Sequence, residues 1–412
     1  MPETPPALTN WAGNIAFGAA RFHEPESVAE LQAVVGASDR VRALGTGHSF
    51  NRIADSDELV TVRGLPATTD IRADRVVAPG GARYTELAAA LYARGLALHN
   101  LGSLPHISLA GACATGTHGS GDHNGSLPTA VTAVEFVRAD GELITIDEAD
   151  PDFGGSVLAL GALGVVTRMT LAVEPAYQIA QDVWVDAPLR TVLEHYDEIT
   201  ASGYSVSMFS SGAPDRIDQI WIKRRGAQAT DGTPWGARPA EHAMHPIRHM
   251  DVRAATEQGG LPGPWHERLP HFRASFTPSV GDEQQSEYLI PRVHAAAAIA
   301  AVHGLDLGEL LQVAEFRTIA ADELWLSPAH GRATAALHFT WRNDPDAIAV
   351  AVAALEKALA PFDPRPHWGK VFAMSPDQVQ RHYPRLAEFR ALMARHDPNR
   401  KFGNPFLERY VY

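Results

Sequence analysis

The chain has 412 residues, of which 45% are hydrophobic and 20% charged, and a formal net charge of −13. Chains longer than about 250–300 residues outgrow a single hydrophobic core, so we expect two domains. The acidic balance argues against a general nucleic-acid binder and against docking to anionic lipid. Cys113 is the only cysteine, which excludes an intramolecular disulfide. No secretory signal or membrane-spanning run is visible, so we expect a cytoplasmic protein.

Alternating helices and strands are predicted for the first 175 residues. Ser27 and Glu30 have the spacing of a capping box at the start of a helix. A second helix ends at Gly95, a typical helix-stopping residue. Asp140-Gly141 lies between two apolar runs and is the clearest hairpin signal of the chain. The predicted elements here are a helix over 85–94 and strands over 40–44, 76–79, 133–138, 142–146 and 165–173.

Longer strands are predicted after Glu174-Pro175, which marks a domain boundary. Four of them should be neighbours in an antiparallel sheet, and two helices should cover one side of it. Residues 225–270 are rich in Gly, Pro and His and are predicted to form a long loop or lid. The strands are predicted over 204–209, 219–223, 311–319 and 335–342, and the helices over 291–302, 346–360 and, in the tail, 383–396.

Two small-residue loops lie in the first part of the chain. The segment Ala43-Leu-Gly-Thr-Gly-His-Ser-Phe50 presents His48 from a glycine-rich loop, and 111–121 is a second stretch of the same kind. Glycines let the main chain turn sharply and lie against a flat or anionic ligand. The pair therefore predicts a large cofactor held by main chain. The third glycine of the dinucleotide fingerprint is missing, which argues against a Rossmann NAD site.

Polar side chains share one face of two predicted strands. Counting by two places Glu315 and Arg317 on the same face of 311–319, and His338 and Thr340 on the same face of 335–342. The opposite face of the second strand is apolar and must be packed. The polar groups either converge in a cleft or form a solvated surface with a Glu–Arg pair.

Other polar residues leave two interpretations open. Lys370, which lies between aromatic residues, is either placed in a site or snorkels at the surface, and Ser103 either contacts a ligand or belongs to a turn. His242, His245 and His249 have the spacing of one helical face, but a proline between them interrupts any such helix. We therefore predict no metal site. P-loop and serine-hydrolase motifs are absent from the sequence.

Several segments together resemble the vanillyl-alcohol-oxidase-type covalent FAD flavoproteins. Gly45-Thr-Gly-His-Ser-Phe50, the stretch 104–119 and Leu160-Gly-Ala-Leu-Gly164 are similar to the FAD domain of that family. The segments similar to its bacterial alditol (xylitol) oxidases are 263–273, 285–289, 315–322 and Arg365-Pro-His-Trp-Gly-Lys370. The resemblance implies an α+β fold with two domains. These are an FAD-binding domain over 1–175, completed by 365–412, and an antiparallel-sheet substrate-binding cap domain over 176–364.

The resemblance also assigns roles to residues. It implies FAD attached through its 8α carbon to His48, with Arg317 and Lys370 as catalytic groups. The residues implied to bind a polyol are Ser103, Glu315, Arg317, His338, Thr340 and Lys370. The residues implied to contact FAD are Ala43, Leu44, Gly45, Thr46, Gly47, His48, Ser49, Ser103, Ser108, Gly111, Ala112, Cys113, Ala114, Thr115, Val157, Gly161, Gly164 and His367.

The implied reaction is oxidation of the terminal C1 hydroxyl of an alditol, such as xylitol or sorbitol, to the aldose, with O2 reduced to H2O2. A monomer with no partner beyond polyol and O2 is expected. The nearest alternative is a sugar-lactone oxidase or dehydrogenase on the same scaffold. A metal-dependent hydrolase using the 242–271 histidines and a non-catalytic flavin-binding protein are the alternatives from other classes.

Overall fold

The computed structural model describes residues 8–226, 234–276 and 282–412. The amino-terminal residues 1–7 and the 227–233 portion of the predicted loop lie outside the described residues. The first part of the chain contains, in order, β1 (Arg21–His23), α1 (Val28–Ala37), β2 (Arg42–Ala43), β3 (Glu58–Val60), β4 (Asp70–Ile71), β5 (Arg75–Pro79), α2 (Tyr84–Tyr92), β6 (Leu96–Ala97), α3 (Leu109–Thr115), β7 (Val131–Val137), β8 (Leu143–Asp147), α4 (Phe153–Ser156), β9 (Val165–Ala172) and β10 (Glu174–Pro175).

Local signals explain most of these elements. The Ser27 side chain caps α1 by accepting from Glu30 N, but the Glu30 carboxylate bonds Glu26 N, so the predicted capping box is one-sided. Gly141, with a φ of 84°, makes the predicted hairpin turn between β7 and β8. The strand predicted over 40–44 shrinks to the two residues of β2, because the chain already turns into the glycine-rich loop after Ala43.

Two sheets organise this part of the chain. A small parallel sheet has the order β1-β3-β2, and a five-stranded antiparallel sheet has the order β4-β5-β9-β7-β8. Leu31 and Val35 of α1 pack with Val137 and Val165 of β7 and β9 in one apolar cluster. The sheets and α1 thus form a layered base that presents the loop after β2 and the amino end of α3 on the same side.

The second part of the chain is dominated by one sheet. Its elements are β11 (Gln178–Pro188), α5 (Leu189–Glu194), α6 (Tyr196–Ala201), β12 (Ser205–Ser210), β13 (Arg216–Arg225), β14 (Arg238–Pro239), β15 (Gly263–Pro264), α7 (Trp265–Arg268), β16 (Glu283–Pro291), α8 (Ala295–His303), β17 (Leu311–Ile319), β18 (Thr334–Arg342) and α9 (Pro345–Leu359). The tail adds β19 (Arg365–Pro366), α10 (Pro376–Gln380), α11 (Leu386–His396) and α12 (Pro405–Tyr410).

The nine-stranded sheet has the order β14-β11-β13-β12-β17-β18-β16-β19, with β15 added to β11. The four predicted strands β12, β13, β17 and β18 are neighbours in it, as expected, and their pairings are antiparallel. Apolar side chains such as Phe316, Leu337 and Phe339 belong to the main core, which also includes Ile299 of α8 and Val352 of α9. The opposite face of β17 and β18 is therefore left for polar groups.

The tail contacts both parts of the molecule. Its strand β19 pairs with β16 in the large sheet. Farther along, Asn404 donates to the carbonyls of residues 52, 53 and 55, and the buried Arg42 donates to the carbonyls of Leu160 and Phe402. Among the described residues, no helix is long and apolar enough to cross a membrane.

Candidate active site

One continuous cavity runs from the glycine-rich loops to the polar face of the large sheet. Its first wall is built from small residues and main chain. The residues of this wall that the resemblance implies are Ala43, Leu44, Gly45, Thr46, Gly47, His48, Ser49, Ser108, Gly111, Ala112, Ala114, Thr115, Gly161 and Gly164.

Cys113 and Val157, also implied as cofactor contacts, are not part of the cavity wall. The Cys113 side chain lies on the core side of α3, where its Sγ is 3.5 Å from the Tyr84 hydroxyl. Burial raises the pKa of this thiol to about 12. Val157 packs in the same hydrophobic core. The two side chains therefore support the wall from behind.

Glycines of the first wall are favoured by close neighbours or by backbone conformation. A Cβ on Gly45 or on Gly111 would collide with Ser108 Oγ. Gly47 and Gly161 adopt φ values of 69° and 68°, in the left-handed region that favours glycine. The wall therefore exposes bare main chain, against which a large flat molecule can lie.

Two buried polar atoms of this wall lack a partner among the described residues. They are His48 Nδ1 and Ser108 Oγ. The His48 ring stacks on Trp11, with ring centroids 5.2 Å apart. Burial lowers the pKa of His48 to about 4, with contributions from His106 and Arg83, so the ring is neutral at pH 7. Because buried polar groups are nearly always paired, these two atoms fit a cofactor that supplies the missing contacts.

The loop that carries His48 is fastened to the loop that carries Lys370. Phe50 N donates to Gly369 O at 2.7 Å. The Asn51 side-chain amide donates to both Trp368 O and Lys370 O, each at 2.8 Å. These three hydrogen bonds hold the two loops together.

The second wall of the cavity is the polar face of β16, β17 and β18. Glu315 of β17 and Glu287 of β16 both pair in register with His338 of β18, and Thr340 lies two residues farther along. Glu315, Arg317, His338 and Thr340 are buried and line the cavity. The solvated-surface interpretation is therefore wrong, and the convergent one is right.

Lys370 points into the same cluster. Its Nζ donates to Gln285 Oε1 at 2.8 Å, lies 2.8 Å from His338 Nδ1 and is 3.3 Å from Glu287 Oε2. Its side chain is only 14% exposed, so it does not snorkel at the surface. Ser103 also lines the cavity, with its Oγ 3.4 Å from Arg317 Nη1.

The chain resembles known flavoproteins over its whole length. A family model described as FAD binding domain matches residues 19–147, and one described as D-arabinono-1,4-lactone oxidase matches residues 282–410. The chain is 51% identical to an alditol oxidase of a Streptomyces strain, over 97% of this chain and 98% of that one.

This chain belongs to the alditol oxidase family. That family is part of the vanillyl-alcohol-oxidase-type flavoproteins, and the protein is an FAD-dependent oxidoreductase. An L-gulono-1,4-lactone dehydrogenase of Mycobacterium tuberculosis is 28% identical over 98% of this chain and 99% of its own. The crystal structure of cholesterol oxidase from B. sterolicum, 14% identical, superposes with a TM-score of 0.78 over 100% of this chain and 99% of that one, which confirms the α+β fold class.

Glu287 is a cavity residue that the sequence analysis missed in this member of the alditol oxidase family. Its Oε1 is 2.6 Å from Arg317 Nη2 and 3.1 Å from His118 Nε2. Burial by itself raises the pKa of Glu287, but the charges of Lys370, His118 and Arg317 outweigh burial and hold it well below its usual range. The signal that could have found it is the alternation in 283–287, which places Gln285 and Glu287 on one face.

The cluster combines a permanent cation with an ionisable amine. For Arg317, burial opposes the charge, but Glu315 and Glu287 raise its pKa, so it stays a guanidinium. For Lys370, burial lowers the pKa and Arg317 adds to the effect, whereas Glu287 opposes it. Burial, with Lys370, also lowers the pKa of His338 to about 4, which leaves that ring neutral.

His367 joins the cavity wall beside this cluster, as the resemblance implies. Its Nδ1 accepts from Gly369 N at 3.1 Å, and burial lowers its pKa to about 3. Within the described ranges, no three His, Cys, Asp or Glu side chains are grouped so that they could hold a metal ion. Of the histidines considered for a metal site, His242 and His249 are exposed and His245 is buried.

Proposed function

We propose that the protein oxidises the terminal C1 hydroxyl of an alditol, such as xylitol or sorbitol, to the aldose and reduces O2 to H2O2, with FAD attached covalently to His48. The observation that carries the proposal is the shared cavity. One wall is glycine-lined and presents His48, and the other is polar and presents Arg317 and Lys370. Similarity to the Streptomyces alditol oxidase supports the choice of substrate.

The state of His48 supports covalent attachment. A histidine can form a bond to the 8α carbon only through a ring nitrogen with a free lone pair. Burial keeps this ring neutral, and its Nδ1 has no partner among the described residues. Trp11 holds the ring in place by stacking.

The polar wall supplies what an alcohol needs in order to be oxidised. FAD, when bound, takes up the two electrons of the alcohol and delivers them to O2. A primary alcohol is a poor electron donor until its hydroxyl proton begins to leave. Arg317 is the group that stabilises the negative charge on that oxygen, because it stays cationic in a buried site. Lys370 Nζ is the proton acceptor, since burial lowers its pKa.

The other polar side chains select a polyol over a simple alcohol. Ser103, Glu315, His338 and Thr340 offer donors and acceptors along the same wall. A substrate without matching hydroxyls would leave these buried groups unpaired, which costs about 1–3 kcal/mol for each group.

The test is anaerobic reduction of the purified holoenzyme by xylitol, followed through the visible flavin absorption. We expect rapid bleaching, and on admitting air one H2O2 per aldose. Acid precipitation should leave the yellow colour in the pellet for the wild type and release it from His48→Ala. A wild-type protein that stays yellow with every alditol would contradict the substrate assignment, and a colourless pellet would contradict the covalent bond.

A sugar-lactone substrate is the second candidate, because residues 282–410 match the model described as D-arabinono-1,4-lactone oxidase. Such an enzyme would be bleached by an aldonolactone and not by xylitol. If it were a dehydrogenase, it would reduce an artificial acceptor while consuming little O2. Assaying xylitol and an aldonolactone, each with O2 and with an artificial acceptor, distinguishes an oxidase from a dehydrogenase for either substrate.

The proposed domain division, 1–175 with 365–412 and 176–364, assigns the five-stranded sheet to the first domain and, apart from β19, the nine-stranded sheet to the second. We further propose a cytoplasmic monomer, in keeping with the single cysteine and the acidic charge. Light scattering on the eluted holoenzyme measures the mass and tests the monomer directly.

A further inference from the structure

Lys223 is a buried lysine that the proposed function does not use. It lies in β13, with only 1% of its surface exposed, and is not part of the cavity wall. Its Nζ donates to the carbonyls of Leu269 and Pro270 and lies 3.2 Å from His271 Nδ1. A lysine buried this completely must have all of its hydrogens accepted.

His271 connects Lys223 to Glu315. Its Nε2 is 2.7 Å from Glu315 Oε1, and its ring forms part of the cavity wall. The rings of Phe209 and Trp221 pack edge-on against it, each with its centroid 5.4 Å away. The imidazole therefore has a fixed plane, with one nitrogen facing the lysine and the other facing the carboxylate.

Lys223, His271 and Glu315 form a hydrogen-bonded row, and its donors and acceptors allow only one arrangement of hydrogens. An ionised carboxylate only accepts, so His271 Nε2 must carry the hydrogen. Burial, with Lys223, lowers the pKa of His271 to about 4, so the ring is neutral and Nδ1 has a free lone pair. Lys223 then faces three acceptors, which are two carbonyls and Nδ1, and only its ammonium form has three hydrogens to give.

We propose that Lys223 and His271 are positioning residues that fix the Glu315 carboxylate for substrate binding. Lys223 donates to His271 Nδ1 and holds the ring in place, and His271 Nε2 donates to Oε1. In the described contacts of Glu315, its Oε1 takes the hydrogen bond from His271 and the nearest approach of Arg317. Oε2 is thus left for a hydroxyl of the alditol. This inference rests on the proposed function, in which Glu315 binds the polyol.

The row also predicts how binding depends on pH. Burial lowers the pKa of Lys223 to about 7, with Glu315 opposing this effect and Arg317 adding to it. The groups that face the row are Glu315 and Arg317 from β17 and the neutral Ser207 hydroxyl from β12, 3.4 Å from His271 Nε2. As pH rises through 7, Lys223 loses the third hydrogen and KM for xylitol should increase.

The first experiment compares steady-state kinetics of the Lys223→Met holoenzyme and the wild type. We expect KM for xylitol to rise about 10-fold or more, because an unsatisfied buried group costs about 1–3 kcal/mol, while kcat changes little. The rise of KM with pH should disappear. Lys401→Met is the matched control, since Lys401 also donates to main-chain carbonyls, those of Val35 and Gly36. The KM of this variant for xylitol should stay at the wild-type value.

The second experiment reads the tautomer directly by NMR on protein with ¹⁵N-labelled histidine rings. The His271 signal is identified by its loss in His271→Gln. The wild type should show the hydrogen on Nε2 alone. In Lys223→Met the ring should take up a second hydrogen, on Nδ1, at a higher pH than in the wild type, because the lysine charge that lowers the pKa of His271 is gone. His271→Gln, which can still donate to Glu315, should keep a lower KM than His271→Leu.

Three results would overturn the inference. They are an unchanged KM with an unchanged titration of the His271 ring in Lys223→Met, a single hydrogen on Nδ1 of the wild-type ring, or equal KM values for His271→Gln and His271→Leu. If Lys223→Met does not fold, the wild-type tautomer and the KM values of the two His271 variants still test the inference. A wild-type enzyme that oxidises no alditol would contradict the proposed function. In that case the NMR measurement alone tests the hydrogen bonds among Lys223, His271 and Glu315.

Discussion

Replacing Arg317 by methionine should slow the reductive half-reaction far more than it weakens binding. The Arg317 guanidinium is buried, is 2.6 Å from Glu287 and is 3.5 Å from Glu315, so it cannot turn away from the substrate. A preorganised cation of this kind typically contributes about 10²–10³ in rate, or about 2.7–4 kcal/mol. Arg317→Lys keeps the charge and loses the planar fork, so we expect an intermediate rate.

The assay is stopped-flow reduction of the flavin by xylitol under anaerobic conditions, over a range of xylitol concentrations. Losing one partner of a buried ion pair also costs about 3–5 kcal/mol of stability, so the melting temperature of each variant must be measured first. Arg342→Met is the control, because Arg342 is the exposed last residue of the neighbouring strand β18. A folded Arg317→Met enzyme that is reduced at the wild-type limiting rate would refute this role.

Further predictions concern the cofactor wall, the pH dependence of the rate and the stability. Gly45→Ala should incorporate less FAD than the wild type, because its Cβ would displace Ser108 Oγ on the cofactor wall, whereas Gly36→Ala has open space and should carry the wild-type amount; equal FAD content would contradict this. The limiting reduction rate should rise with pH as Lys370 becomes a neutral amine, and Lys370→Met should be slow and flat across the same range. Burial raises the pKa of Asp322 from 3.8 to about 6, so its folded state binds more protons than the unfolded chain between these values and stability falls as pH rises. Asp322→Asn should therefore be more stable than the wild type at pH 7 by up to about 3 kcal/mol, with a gain that fades by pH 4 in chemical unfolding; a gain independent of pH would contradict the assignment.

Side-chain alternation is enough to predict the strands that carry most of the polar wall. In β18 the apolar face is continuous, and in both strands the polar site residues fall two positions apart, so the sequence pattern places Glu315 with Arg317 on one face and His338 on the polar face of its strand. The strands β11 and β16 were missed because both contain polar side chains that become buried, such as Gln181 and Glu287. Burial of a polar residue depends on its partners, which a single sequence does not display.

The unpredicted part of the site depends on the order of strands in the sheet. Lys223 and Glu315 are far apart in sequence and lie on strands separated by β12. They are connected only because the chain at Leu269–His271 passes beside both of them. Local patterns identify the individual strands, but they do not specify which loop crosses the face of the sheet.

The Asn51 side chain couples two loops of the site and so restricts how their sequences can vary. With one side chain it holds two carbonyls of the loop that ends in Lys370, and it lies three residues from His48. A substitution there would disturb both the loop of His48, the proposed site of FAD attachment, and the loop of Lys370, the proposed proton acceptor. Substitutions that compensate for a change at Asn51 should therefore occur in both loops. A library that randomises 48–51 and 367–370 jointly should yield more active clones than a library that randomises either segment alone.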